Sequence, residues 1–231
     1  MLPFLVGNIN MERKCFFAVC NIESLSEDLY EKFYSLCSQE RKHKTDRFKF
    51  EKDRKLSVSA FVLLRYMLYK EYGFSDIPEF QYEEHKKPIL ENNQKIKFNF
   101  SHCKDTVACA VSDYCVGVDV QDIITEKELF DNILLSAKEK EAVRNSENPC
   151  SEFIRFWTLK ESFSKNTGTG IGRNLAEIDF SEYELRFKAY EKFFLTERFG
   201  NTWASCCSDI ENIEYKIVTL EEILKSVENF K

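Results

Sequence analysis

Glycine and proline are scarce in this chain, seven and four among 231 residues. No Gly-, Pro- or Ser-rich linker therefore divides it, and any two parts must meet directly. Histidine is scarcer still, with His43, His85 and His102 only, and their spacing matches no metal-ligand motif. Also missing are GxSxG, HExxH and GxxxxGK[ST], which removes the nucleophile elbow, the zincin helix and the phosphate-cradling loop. The "GTGIG" at 168–172 follows helical text instead of opening a helix after a strand, so it reads as a helix C-cap and turn. No apolar run approaches the ~18 residues of a membrane span, and no basic stretch precedes the short apolar start. The expectation is a soluble, cytoplasmic protein without a membrane role. Nine cysteines form no CxxC pair and sit in apolar text, as reduced core thiols do. A basic excess is absent too: net charge is −6, which argues against a nucleic-acid partner.

What is present is ordinary globular material, 43% hydrophobic and 31% charged in 27.3 kDa, enough for one large domain or two small ones. Apolar periodicity predicts helices near 25–37 and 50–71, the second closed by Gly73. "KIKFNFSH" alternates as a strand, and "TVACAVSDYCVGVDV" reads as two strands about a turn at Ser112–Asp113. The order then repeats. Helical text covers about 126–145 and 151–167, strands are expected near 175–180, 184–190, 193–199, 203–208 and 214–219, and "LEEILKSVENF" forms a short amphipathic end. The expected architecture is α+β, two similar halves of about 110 residues divided as 1–113 and 114–231, with a ligand site where they meet.

Four anomalies point to chemistry. Residues 41–55 carry Arg41, Lys42, Lys44, Arg47, Lys49, Lys52, Arg54 and Lys55 against three acids. Two readings stand, a solvated helix face or a site for a polyanion or acidic partner. In "FIRFWTLKESFSKNTGTG", Phe153, Phe156, Trp157 and Phe163 share one helical sector at ~100° per residue, with Lys160 inside it. That ammonium must find a carboxylate, a carbonyl or a ligand phosphate, or lose its charge. Glu161 and Lys165, one turn apart, are either a surface pair or part of a site. Asp119 stands inside a strand beside Gly117 and Gln121, opposite Val116, Val118 and Val120. It either accepts backbone hydrogen bonds or joins Glu161 around a hard cation such as Mg²⁺. Lys86, Lys87 and His102 flank the "KFNF" strand. Cations in the first half and carboxylates in the second suit a phosphorylated ligand and a Mg²⁺-assisted reaction.

Taken in order, Lys87-Pro88, "NFSH" at 99–102, "GVDV" at 117–120 and "WTLKESFSKNTGTG" at 157–170 resemble the 4′-phosphopantetheinyl transferases of the surfactin-synthetase type. "FEKDRKLSVSAFVLLR" fits the N-terminal helix region of that family. The resemblance implies a monomeric pseudo-dimer, each half with helices packed on a small antiparallel sheet, and coenzyme A as co-substrate in the cleft between them. It further implies Mg²⁺-dependent transfer of the phosphopantetheine arm to a serine of an apo acyl or peptidyl carrier protein, with release of adenosine 3′,5′-bisphosphate. Position by position, Asp119, Glu161 and Gln121 would hold the metal. Arg41, Lys44, Lys87, Ser101, His102 and Lys165 would bind the cofactor's phosphates, Ser101 and His102 near the 3′-phosphate. Glu161, Lys165 and Glu139 would be catalytic, with Glu139 in "LSAKEKE" and Glu161 as competing bases for the serine. Gln121 stands where many members carry an acid; its carbonyl, or a water it positions, brings no charge. A regulatory or catalytically weak coenzyme A-binding homologue is the alternative.

Overall fold

Two long helices, one in each half of the chain, each lie on a four-stranded sheet, and the two sheets face each other. The computed structural model describes residues 14–82, 88–124, 134–170, 173–227 and 230. The first half begins with strand β1 (Cys15–Asn21), then helices α1 (Glu27–Ser35), α2 (Gln39–Asp46) and α3 (Glu51–Tyr72). Ser26 and Ser38 cap α1 and α2 by accepting from the Leu29 and Arg41 N–H groups. Gly73, at φ 65°, ends α3 in the left-handed conformation that favours glycine. A small hairpin, β2 (Phe80–Tyr82) with β3 (Pro88–Leu90), precedes β4 (Lys97–Cys103) and β5 (Thr106–Ser112).

The second half contains β6 (Val116–Asp122), α4 (Ala137–Asn145), α5 (Pro149–Thr167), β7 (Arg186–Ala189), β8 (Lys192–Phe199), β9 (Thr202–Ser208), β10 (Ile213–Ile217) and α6 (Leu220–Ser226). Asn148 and Pro149 start α5, and Gly168, at φ 74°, stops it. Of the helical text expected at 126–145, residues 126–133 lie outside the described residues, and the rest contains α4. The strand expected at 175–180 is not formed. A 3-10 turn, Arg173–Glu177, occupies its start, and the carbonyls of Leu175 and Ile178 turn to Lys160 instead of joining a ladder.

The strand orders are β10-β1-β5-β4 and β6-β9-β8-β7. All neighbours are antiparallel except β1 and β10, which run parallel with Cys15 opposite Ile213. The last strand of the chain therefore belongs to the first half's sheet. Val218, Ile223 and Val227 follow it into the core beneath α3, so chain order and sheet membership part company after β9.

β1 was not legible in the sequence because both its faces are covered and no polar alternation remains. Ala18 and Cys20 face α3. Cys15, Phe17 and Val19 face the second sheet, where they meet Val116, Val118, Val120, Leu195, Ala204 and Cys206. On the far side, Phe153, Phe156 and Leu159 of α5 pack on Phe180 and Phe194. All nine cysteines are free thiols, seven of them buried. Burial pushes Cys20 and Cys37 up to about 12, which leaves them inert. No described helix is long and apolar enough to cross a membrane.

Candidate active site at the seam between the halves

Because Val116, Val118 and Val120 point into the layer between the sheets, Gly117, Asp119 and Gln121 face the other way, towards α5. Gly117 lets strand and helix touch: a Cβ there would overlap the Ser162 carbonyl oxygen and the Asn166 backbone nitrogen. Asn166 then pins the end of α5, its Nδ2 donating to the carbonyls of Cys115 at 2.8 Å and Cys207 at 3.2 Å. A buried hydroxyl contact between Thr158 and Ser205, 2.8 Å, fixes the middle of the helix on β9.

This contact brings α5's charged turn to Asp119. Lys165 Nζ lies 2.6 Å from Asp119 Oδ1 and donates to the Val118 carbonyl at 3.1 Å and to Ser101 Oγ at 3.2 Å. Ser101 Oγ in turn donates to Asp119 Oδ1 at 2.9 Å. Lys165 thus reaches across to the strand. Glu161, one turn earlier, is 8% exposed, and its buried Oε1 has no hydrogen-bond partner among the described residues. Burial first, then the Asp119 charge, raises its carboxyl above the ordinary value, against the pull of Lys165. A buried, unpartnered carboxylate oxygen beside a second carboxylate is an oxygen-donor set of the kind a hard cation takes. Among the described residues no group of three His, Cys, Asp or Glu converges; the third position on this face is the half-buried Gln121.

From the first half come Ser101 and His102 of β4 and the cations of α2. Arg41 is 6% exposed, its guanidinium over the rings of Phe100, Phe61 and Phe80 at 5.2, 5.4 and 5.9 Å. Lys44, on the same helix, is held below its usual range by desolvation and by Arg41. His102 keeps an exposed edge, yet desolvation among its neighbours lowers its pKa, and the charges of Lys165 and Arg41 lower it further. His102 therefore lies within electrostatic reach of cations from both halves. Lys87 lies outside the described residues.

Glu139, expected beside this site, is not brought to it. Its side chain is fully buried as the N3 residue of the α4 capping box, where it accepts from the N–H of Ser136. It also accepts from the N–H of Phe180 at 3.0 Å and pairs with Lys160 at 2.9 Å. Lys160 completes its own shell with the Leu175 and Ile178 carbonyls. The ammonium in the aromatic sector has found a carboxylate and two carbonyls, so it holds α5 on its own half. One residue of the seam was passed over in the sequence: Asn99, whose Oδ1 accepts the Val118 N–H at 2.8 Å. It is the first residue of the "NFSH" motif, and a second signal is an amide inside a strand, where such side chains are depleted.

Two similar α+β halves, with Asp119 and Lys165 of one meeting Ser101 of the other, define a protein built around a seam between its halves. Residues 115–220 match the 4′-phosphopantetheinyl transferase superfamily and residues 24–113 match the N-terminal part of 4′-phosphopantetheinyl transferases. The chain belongs to this superfamily. It is 29% identical to 4′-phosphopantetheinyl transferase psf-1 of Bacillus pumilus, over 61% of this chain and 62% of that protein. It is also 29% identical to 4′-phosphopantetheinyl transferase Sfp of Bacillus subtilis (strain 168), over 64% and 67%. With the L-aminoadipate-semialdehyde dehydrogenase-phosphopantetheinyl transferase of Saccharomyces cerevisiae it shares 34% over 41% of this chain and 39% of that one.

Proposed function

We propose that this protein transfers the 4′-phosphopantetheine arm of coenzyme A to a serine hydroxyl of an apo acyl or peptidyl carrier protein, releasing adenosine 3′,5′-bisphosphate. The observation that carries this reading is the convergence of Asp119, Glu161 and Lys165 with Ser101 of the other half at one seam. In this reading residues 1–113 bind the nucleotide's phosphates through Arg41, Lys44, Lys87, Ser101 and His102. Residues 114–231 supply the catalytic groups, although β10 and α6 pack with the first half. One chain provides both sides of the site, which supports a monomer; the compartment proposed for it is the cytoplasm.

The serine oxygen attacks the β-phosphorus of the pyrophosphate, a new P–O bond forms, and the bond to the bridging oxygen breaks with that oxygen leaving on the nucleotide. Lys165 offers its ammonium to the charge that develops on the bridging and leaving oxygens. Glu161 is placed to take the serine proton, since its buried Oε1 has no hydrogen-bond partner among the described residues. Mg²⁺, held by Asp119 and Glu161 with Gln121 or a water in a neutral place, would supply further charge neutralisation there. Glu139 is left out of the chemistry, since Lys160 and two N–H groups occupy its carboxylate. Gln121 favours the second reading, a coenzyme A-binding homologue with little turnover, which would bind coenzyme A and leave carriers unmodified.

The test is incubation with coenzyme A, Mg²⁺ and apo acyl or peptidyl carrier proteins, following carrier mass. Full modification in excess chelator would overturn the metal requirement. Asp119→Asn should be inactive at any practical Mg²⁺ level, Gln121→Ala should retain activity, and Gln121→Glu should lower the Mg²⁺ needed for half-maximal rate. An unchanged Mg²⁺ requirement in Gln121→Glu would place the metal elsewhere.

A further inference from the structure

β4 and β6 are edge strands of different sheets. An edge carries backbone N–H and C=O groups that need partners when they are covered. At residue 118 side chains supply both partners. The Val118 N–H donates to Asn99 Oδ1 at 2.8 Å, and the Val118 carbonyl accepts from Lys165 Nζ at 3.1 Å. In a strand the N–H and C=O of one residue leave on the same edge, so a grip on the first fixes the direction of the second. Two residues along β4, on the same face as Asn99, Ser101 contacts both Asp119 and Lys165. Asn99 and Ser101 therefore hold the two ends of a circuit that runs through Val118, Lys165 and Asp119.

We propose that Asn99 is a positioning residue for Lys165: by holding Val118 against β4 it aims the carbonyl that, with Asp119, sets the direction of the ammonium. An amide suits the place because its oxygen accepts the N–H without adding a third negative charge beside Asp119 and Glu161. The first half would thereby supply part of the geometry of the second half's catalytic cation, in addition to binding phosphates. The kinetic consequence rests on the transfer reading above; the geometric one does not.

The experiment compares wild type with Asn99→Ala and Asn99→Asp by three readouts. These are hydrogen exchange at the Val118 amide, the rate at which an amine-acylating reagent labels Lys165 (read by peptide mass), and steady-state transfer to an apo carrier. In Asn99→Ala we expect Val118 exchange to rise ~10-fold or more and Lys165 labelling to rise several-fold, with β5 amides unchanged. kcat should fall about tenfold while KM for coenzyme A stays within about twofold, the pattern of an interaction made in the transition state. Asn99→Asp, which keeps an acceptor, should restore Val118 protection and most of the Lys165 shielding. If Asn99→Ala does not fold, Asn99→Ser, whose hydroxyl is too short to reach the Val118 N–H directly, takes its place. Faster Val118 exchange with Lys165 labelling and kcat both at wild-type levels would overturn the proposal, leaving Asn99 as a strand tie only. Should wild type modify no carrier, the transfer reading fails, and Lys165 labelling alone decides the role of Asn99.

Discussion

Lys160 and Glu139 face each other at 2.9 Å with side chains 2% and 0% exposed, an ion pair sealed between α4, α5 and the turn before Phe180. Desolvation pushes the carboxyl up and the ammonium down, and their mutual attraction opposes both shifts. Removing one partner of a buried pair leaves an uncompensated charge and costs about 3–5 kcal/mol. Glu139→Ala should therefore lose stability on that scale in urea unfolding. Its kcat per folded molecule, measured well below the melting temperature, should stay within about threefold of wild type. A collapse of kcat in fully folded Glu139→Ala would return this residue to the chemistry.

Glu161 gives a pH prediction with a definite sign. Its folded carboxyl has a pKa raised above the ordinary 4.5, by burial and by Asp119, so the native state binds more protons than the unfolded one. The stability it contributes is full below pH 4.5 and is lost as pH rises through the raised value. Without metal, the melting temperature of wild type should decline relative to that of Glu161→Gln as pH is raised from 4.5. Mg²⁺ should recover the difference at neutral pH in wild type only. Parallel curves for the two proteins would count against the buried, ionisable role.

Gly117→Ala places a methyl group inside the contact between β6 and α5, against backbone atoms of Ser162 and Asn166 that cannot rotate away. Overpacking of this kind costs typically 1–3 kcal/mol, and more when backbone must shift. The variant should melt lower and lose transfer activity together, since α5 carries Glu161 and Lys165. A stable, fully active Gly117→Ala would mean that the site tolerates a wider gap than the one observed.

Desolvation and then the Lys165 charge lower the pKa of His102, Asp53 opposes them, and Arg41 adds to the lowering. A polyanion bound beside it would favour the imidazolium and draw in a proton. Coenzyme A should therefore bind more tightly as pH falls below neutrality, and calorimetry in two buffers of different ionisation enthalpy should report proton uptake. His102→Ala should abolish that uptake and weaken coenzyme A more than dephospho-coenzyme A. Equal weakening of both ligands would move His102 away from the 3′-phosphate.

Local signals determined the helix ends and strand faces. Gly73 and Gly168 mark the stops of α3 and α5, and the valines at 116, 118 and 120 put Asp119 on the polar side of its strand, where it faces α5. Those are properties of neighbours in sequence, set by backbone conformation and a period of two. The tertiary structure decided which charge meets which. Lys160 could have been satisfied by any carboxylate, carbonyl or phosphate, and only the fold selects Glu139, 21 residues earlier in the chain by residue number. Lys165 sits one helical turn from Glu161, yet it reaches Asp119 and Ser101 because Gly117 lets β6 close on α5. β1 hid its strand character because two different cores cover its two faces, and β10 reads as a second-half strand until its parallel pairing with β1 places it in the other sheet. Such pairings form between segments far apart in the chain, through surface burial and backbone hydrogen bonds that no local pattern encodes.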